Sequence, residues 1–213
     1  MALLLSAGMA YVIGSLPFGF WLAKARGIDI QKVGSGNIGA TNVLRALGPR
    51  AAVPVLIMDI LKGFVGAALA AQISRATGGN PSLAAVIGGL AAFAGHNWSF
   101  LLGFRGGRGV ATGAGAALYV LPYGVLLGVT VLVAVVFVTR YVSLGSILAA
   151  ASVAAYALAV PFPPERRIFA LAAASVIIYK HRPNIGRLLS GTESKFGQRI
   201  GSAKTPPAGD GHV

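Results

Sequence analysis

The feature that most restricts this chain is a series of long apolar runs separated only by short, basic connections. No charged residue occurs from Ala2 to Ala23, which supplies the ~20 apolar residues that one helical crossing of a bilayer requires. Further apolar stretches run from Ala51 to Ile73, Ser82 to Phe104, Val110 to Thr139, Val142 to Phe162 and Ile168 to Tyr179, and no soluble domain fits between them. Only 11% of the residues are charged, far below the roughly 25% of a soluble domain. In lipid the backbone must satisfy its own hydrogen bonds, so the expected fold is all-α. A single polytopic membrane domain is expected over residues 1–200, with a disordered tail over 201–213, where Pro206 and Pro207 stand among glycines. The first run has neither the positive start nor the shorter apolar core of a cleaved signal peptide, so it is read as a retained span.

The run from Val110 to Thr139 decides the topology. As one helix it would be about 45 Å long, against a hydrocarbon core of about 30 Å, and Pro122 lies inside it. The loop from Lys24 to Arg50 is basic, and so is the segment after Tyr179, so both belong on the cytoplasmic side. Six spans would put them on opposite sides. A break at Pro122 gives about seven segments, some of them short, with the N-terminus outside and the C-terminus and basic loops inside a bacterial plasma membrane.

The chain carries 18 Lys and Arg against five acidic residues, a formal charge of +13. On a polar surface this would suggest nucleic acid. Here the cations fall between apolar runs, where they orient the chain in the membrane, and no nucleic-acid partner is expected. The absence of Cys excludes disulfides, thiolate catalysis and Cys-ligated metals. The sequence calls for no metal and no cofactor.

Five segments carry chemistry. The first loop holds Gly34-Ser35-Gly36-Asn37-Ile38-Gly39-Ala40-Thr41-Asn42, then Arg45. Its glycines let backbone approach an anion, its hydroxyls and amides donate, and Thr41 or Asn42 is placed to cap a short helix ending before Pro49. The letters also fit a dinucleotide fingerprint, but that motif needs a preceding strand, and Asp59 lies inside an apolar run. Asp59 and Lys62 are three residues apart on one helix face. They suit either a structural ion pair or a direct role. Next, Gly95-His96-Asn97-Trp98-Ser99 leads into Gly103-Phe104-Arg105-Gly106-Gly107-Arg108-Gly109, two arginines framed by glycines that can fold around phosphate. Ser143 and Ser146 follow Arg140. Last comes Lys180-His181-Arg182-Pro183-Asn184-Ile185-Gly186-Arg187, continuing to Glu193, richer in polar groups than lipid-head attraction requires.

At these residues the chain resembles the bacterial acyl-phosphate:glycerol-3-phosphate acyltransferase (PlsY) family. The resemblance runs from Met1 to about Gly197 and rests on GSGNIGATNVLR, GHNWSFLLGFRGGRGVATGAG and KHRPNIGRLLSGTESK, in that order. It implies seven membrane helices, long-chain acyl phosphate and glycerol 3-phosphate as substrates, and lysophosphatidic acid and phosphate as products. The family usually has Lys where this chain has Arg105 and Arg108, which keeps the charge and replaces a point cation by a planar fork. By this resemblance Ser35, Thr41, Arg45 and Ser143 take the acyl-phosphate head, and Arg105, His181 and Asn184 act on glycerol 3-phosphate. Gly36, Asn37, Gly39, Asn42, His96, Arg108, Arg187 and Glu193 complete the expected substrate-binding set. Expected partners besides the substrates are membrane lipid and the soluble enzyme that makes acyl phosphate.

The residues fit such a reaction. An acyl phosphate has a good leaving group, so no covalent acyl-enzyme is required, and Cys is absent. Glycerolipid acyltransferases that place Asp five residues after His are excluded, because Leu101 and Gly186 stand there. His181 is the first protein candidate for a base and His96 the second. The family is thought to let a substrate phosphate take the proton, with His181 orienting the acceptor. The competing class is a transporter of organic phosphates. Against it stand polar motifs gathered at one face and the lack of an inverted repeat.

Overall fold

The computed structural model describes residues 1–198, and the tail expected to be disordered from Gly201 onward lies outside them. Among the described residues there are helices and no strand. The first span is split into α1 (Ala2–Ser15) and α2 (Phe18–Lys24). A short amphipathic helix, α3 (Ala40–Leu47), precedes the long α4 (Pro49–Ala76). Then follow α5 (Pro81–Asn97), continued by a 3₁₀ turn over Phe100–Leu102, α6 (Val110–Val120), α7 (Pro122–Thr139) and α8 (Val142–Ala159). The last two are α9 (Pro164–Lys180) and the short α10 (Arg182–Leu189). Five segments are long and apolar enough to cross a membrane: Ala2–Lys24, Pro49–Ala76, Pro81–Leu102, α7 and α8.

The long run divides at Leu121, as Pro122 leads one to expect. Proline sits at the first helical position of α7, where its missing N–H costs nothing. Val110, Ala114 and Ala117 of α6 face the same groove as Leu132, Val129 and Val125 of α7, so the two helices run antiparallel. Helix α6 is too short to cross lipid alone, but its Thr112, Gly113, Gly115, Ala116 and Ala117 are buried among neighbouring helices.

Small residues bring the central helices together. A Cβ on Gly63 of α4 would overlap the Thr112 carbonyl oxygen of α6, and one on Gly115 would overlap that of Ile60. Such contacts let backbones meet where there is no hydrophobic drive between helices in lipid. Outward-facing Leu4, Leu126 and Phe137 are exposed, as side chains facing acyl tails should be.

Pro17 interrupts the first span and frees two carbonyls, which side chains recover. Ser99 Oγ donates to Ser15 O at 2.6 Å and Lys62 Nζ to Leu16 O at 2.9 Å. The connections 25–39, 98–109, 140–141 and 181–198, three of them long, gather on one face of the bundle, where cross-links such as Lys180 Nζ to Asn97 O (2.9 Å) tie them. The opposite face has only short turns, with Ser82 Oγ donating to Glu165 Oε1 at 2.9 Å.

Candidate active site

On the loop-rich face the first turns of α3, α6, α8 and α10 border one cavity of about 460 Å³. None of these four helices has a side-chain cap. The opening N–H groups of a helix lack intrahelical partners and stand at the positive end of its dipole. Four such ends around one volume make a site for an anion.

The first loop forms one wall through Ser35, Asn37, Gly39, Thr41 and Asn42. Its shape is held by Asn42, whose Nδ2 donates to Ile30 O (3.2 Å) and Val33 O (2.9 Å) while its Oδ1 accepts from Ser35 N (3.1 Å). The expected cap residues are therefore displaced. Gly39 occupies the cap of α3, and Asn42 spends its amide on the loop's own backbone. Gly36 reverses the loop at φ +67 and is not among the residues bordering the cavity.

Arg45 and Arg108 bring positive charge to the cavity, with Arg187 close enough to repel both. Burial, then repulsion from Arg187 and Arg45, brings Arg108 down to about 10, so it stays protonated at neutral pH. Arg45 is lowered chiefly by burial, and its Nη2 donates to Ser194 O at 3.2 Å. Among the described residues only two carboxylates border the cavity, and both are occupied. Glu193 accepts from Ser143 Oγ (2.8 Å), Asn184 Nδ2 (2.7 Å) and Arg187 Nε (2.7 Å). Burial alone would raise its pKa, but these bonds outweigh burial and hold it ionised below the usual carboxylate range. Asp59 pairs with Lys62 at 2.9 Å. The excess charge is an attraction left for a ligand.

His181 ends α9 and caps α10, which brings it and Asn184 to the cavity together across Pro183. Its Nδ1 donates to Ile177 O at 2.8 Å, so Nε2 carries the lone pair. Burial, with Arg108 adding to it, pushes the imidazole down to about 4, so it is neutral at physiological pH.

Of the residues expected from sequence, His96 also borders the cavity, and Arg187 acts behind it through Glu193. Arg105 does not border it: the chain turns through left-handed Gly103 and Phe104, leaving Arg105 exposed, while Gly106 and Gly107 pack against His96 and Asn97. Leu132 and Phe196 border the cavity without having been expected there, and Asp59, for which a structural pair and a direct role were both open, borders it too. Phe196 arrives because its N–H donates to Arg140 O at 2.6 Å, a long-range contact that no local pattern announces. Inward, the cavity continues into an apolar groove of about 90 Å³ between α6, α7, α8 and α9. Val110, Ala114, Val129, Leu132 and Ser146 line both volumes.

Residues 4–191 match the model of a family described as glycerol-3-phosphate acyltransferase. The chain is 46% identical over 193 residues to a glycerol-3-phosphate acyltransferase of Geobacter sulfurreducens, covering 91% of this chain and 97% of that one. It is 48% identical over 191 residues to the enzyme of that name from Desulforamulus reducens, covering 89% and 93%. Its fold is similar to the crystal structure of PlsY, an integral membrane glycerol 3-phosphate acyltransferase, in its glycerol 3-phosphate form. The TM-score there is 0.85 at 39% identity, covering 92% of this chain and 96% of that one. The lysophosphatidic acid form of PlsY gives a TM-score of 0.82 at 38% identity, with 93% and 97% covered. By matched length, identity and fold together, the chain belongs to the glycerol-3-phosphate acyltransferase family.

Proposed function

We propose that this protein transfers a fatty acyl group from acyl phosphate to the sn-1 hydroxyl of glycerol 3-phosphate, giving lysophosphatidic acid and phosphate, the first acylation of phospholipid synthesis. The observation that carries this is the continuity of an arginine-lined cavity, ringed by helix N-termini, with an apolar groove. A ligand with an anionic head and an aliphatic tail fits that combination, and the lysophosphatidic acid form of the similar PlsY structure supports the product.

The donor's phosphate lies against Ser35, Thr41, Arg45 and Ser143, with its chain entering the groove past Val129 and Leu132. The acceptor lies by Arg108, His181 and Asn184. Asn37 and Gly39 complete the cradle, Gly36 and Asn42 shape it, and Arg187 with Glu193 holds Asn184 and Ser143 in place. Arg105 draws anions toward the loop from outside. The sn-1 oxygen attacks the acyl carbonyl carbon and the bond from that carbon to the phosphate oxygen breaks. The hydroxyl proton ends on a phosphate oxygen. Neutral His181 accepts a hydrogen bond from the attacking hydroxyl and so directs it. Positioning of this kind is worth about 7–11 kcal/mol and anion stabilisation about 3–4 kcal/mol in favourable sites. Neither needs a covalent intermediate.

Purified protein given palmitoyl phosphate and labelled glycerol 3-phosphate should form labelled lysophosphatidic acid. Robust turnover with acyl coenzyme A in the absence of acyl phosphate would overturn the choice of donor.

The site faces the cytoplasm of a bacterial plasma membrane in this proposal, within reach of the soluble enzyme that makes acyl phosphate. Most of the Lys and Arg lie on the site's face, against Arg75, Arg166 and Arg167 at the other, which favours that side. Because the chain has no Cys, single cysteines report cleanly. In intact cells an impermeant thiol reagent should label Ala76→Cys and spare Gln31→Cys and Ser190→Cys. The reverse pattern, or labelling of only one of the latter two, defeats the topology.

A further inference from the structure

Lys62, Asp59 and His96 are 3%, 3% and 4% exposed, an ionisable cluster deep in the bundle that the proposed mechanism does not use. A buried charge pair is costly to desolvate, and well-packed apolar residues in its place are often equally stable. Its geometry points to a role beyond holding helices.

The cluster is a chain of contacts with two defined ends. At one end Lys62 Nζ donates to Leu16 O at the break in the first span. It also pairs with Asp59 Oδ1 at 2.9 Å. Asp59 Oδ1 in turn lies 3.5 Å from His96 Nδ1, longer than a hydrogen bond, and Nδ1 makes no hydrogen bond among the described residues. The carboxylate facing Nδ1 favours a proton on that nitrogen and so biases the orientation of the imidazole. At the other end stands the loop that carries Arg108. Gly107 N donates to His96 O at 3.0 Å. A Cβ on Gly107 would strike the imidazole at Nε2, and one on Gly106 would strike the His96 carbonyl. The loop is thus moulded on both the backbone and the ring of His96, and the next residue is Arg108. Asp59 and His96 themselves border the cavity.

We propose that His96, its ring oriented by the Asp59–Lys62 pair, is a positioning residue that seats the Gly106–Arg108 backbone and thereby aims Arg108 at the acceptor's phosphate. This rests on the acyl-transfer reading of the site. A turned or missing imidazole lets the two glycines relax toward the vacated space, and Arg108 moves with them. The binding of glycerol 3-phosphate suffers, while the donor, held by the first loop and Arg45, is unaffected.

Three variants test this with palmitoyl phosphate and glycerol 3-phosphate. His96→Leu should raise the acceptor KM tenfold or more and leave the donor KM within twofold. His96→Asn, which keeps a donor toward Asp59, should regain at least half of that loss. Asp59→Leu with Lys62→Met removes both charges at once but leaves the Leu16 carbonyl unpaired, so a modest loss of thermal stability is expected while the acceptor KM rises as in His96→Leu. An acceptor KM unchanged in a stable double variant overturns the proposal, as does an equal rise in both KM values for His96→Leu. If the wild-type protein forms no lysophosphatidic acid from acyl phosphate, the functional reading has failed, a result distinct from either of these.

Discussion

Replacing Arg108 by Ala should lower kcat/KM for glycerol 3-phosphate by about 10²- to 10³-fold, the usual cost of removing one donor aimed at developing charge. Arg108 is the cation that burial and two neighbouring guanidiniums strain most, being lowered to about 10. That strain is relieved when a phosphate dianion enters. The same substitution at Arg105, exposed outside the cavity, should cost less than about tenfold, mostly in KM and mostly at low salt. Arg108→Lys should keep most of the activity, since it keeps a cation at the same place. Steady-state kinetics of the three variants at two ionic strengths decide the matter. A larger loss at Arg105 than at Arg108 would mean that the loop turns over when substrate binds.

The second large effect concerns His181 and pH. Burial holds its imidazole near 4, so from pH 5 upward it is neutral and its protonation cannot produce an acidic limb near neutrality. A phosphate monoester loses its second proton near pH 6, in the range where an acidic limb is expected if a substrate phosphate takes the proton. His181→Gln, which keeps an acceptor, should cost less than about 100-fold in kcat and leave the limb near pH 6 in place. His181→Ala removes the acceptor and should cost more, about 100- to 10,000-fold, as for a directly acting group. A limb in the wild type that lies near pH 4 and vanishes in His181→Gln would make His181 the base and defeat substrate assistance.

Much of this was legible in one dimension. Apolar length fixed the spans, and Pro122 with the basic loops marked the hairpin between α6 and α7, because lipid allows so few backbone solutions. The glycine-framed blocks also marked the loops that border the cavity. They read clearly because Gly, Ser and Arg in the loops between spans answer to ligand and backbone geometry more than to lipid. Less legible was the orientation of neighbours within a block. Arg105 and Arg108 look alike in sequence, and only the left-handed turn at Gly103 and Phe104 places one outside and one in.

The sequence by itself thus determined where the long apolar segments lie, the break at Pro122, and which loops carry the polar chemistry, but not the division of the first span at Pro17. These depend on length, charge and proline, properties that each segment has alone. The tertiary structure decided what meets what: Glu193 with Ser143 and Asn184, Asp59 with His96, and the cavity with its apolar groove. Those contacts join residues between 9 and 50 positions apart. Close approach at small residues such as Gly63 and Gly115 sets their geometry, and that approach exists only once the helices have packed.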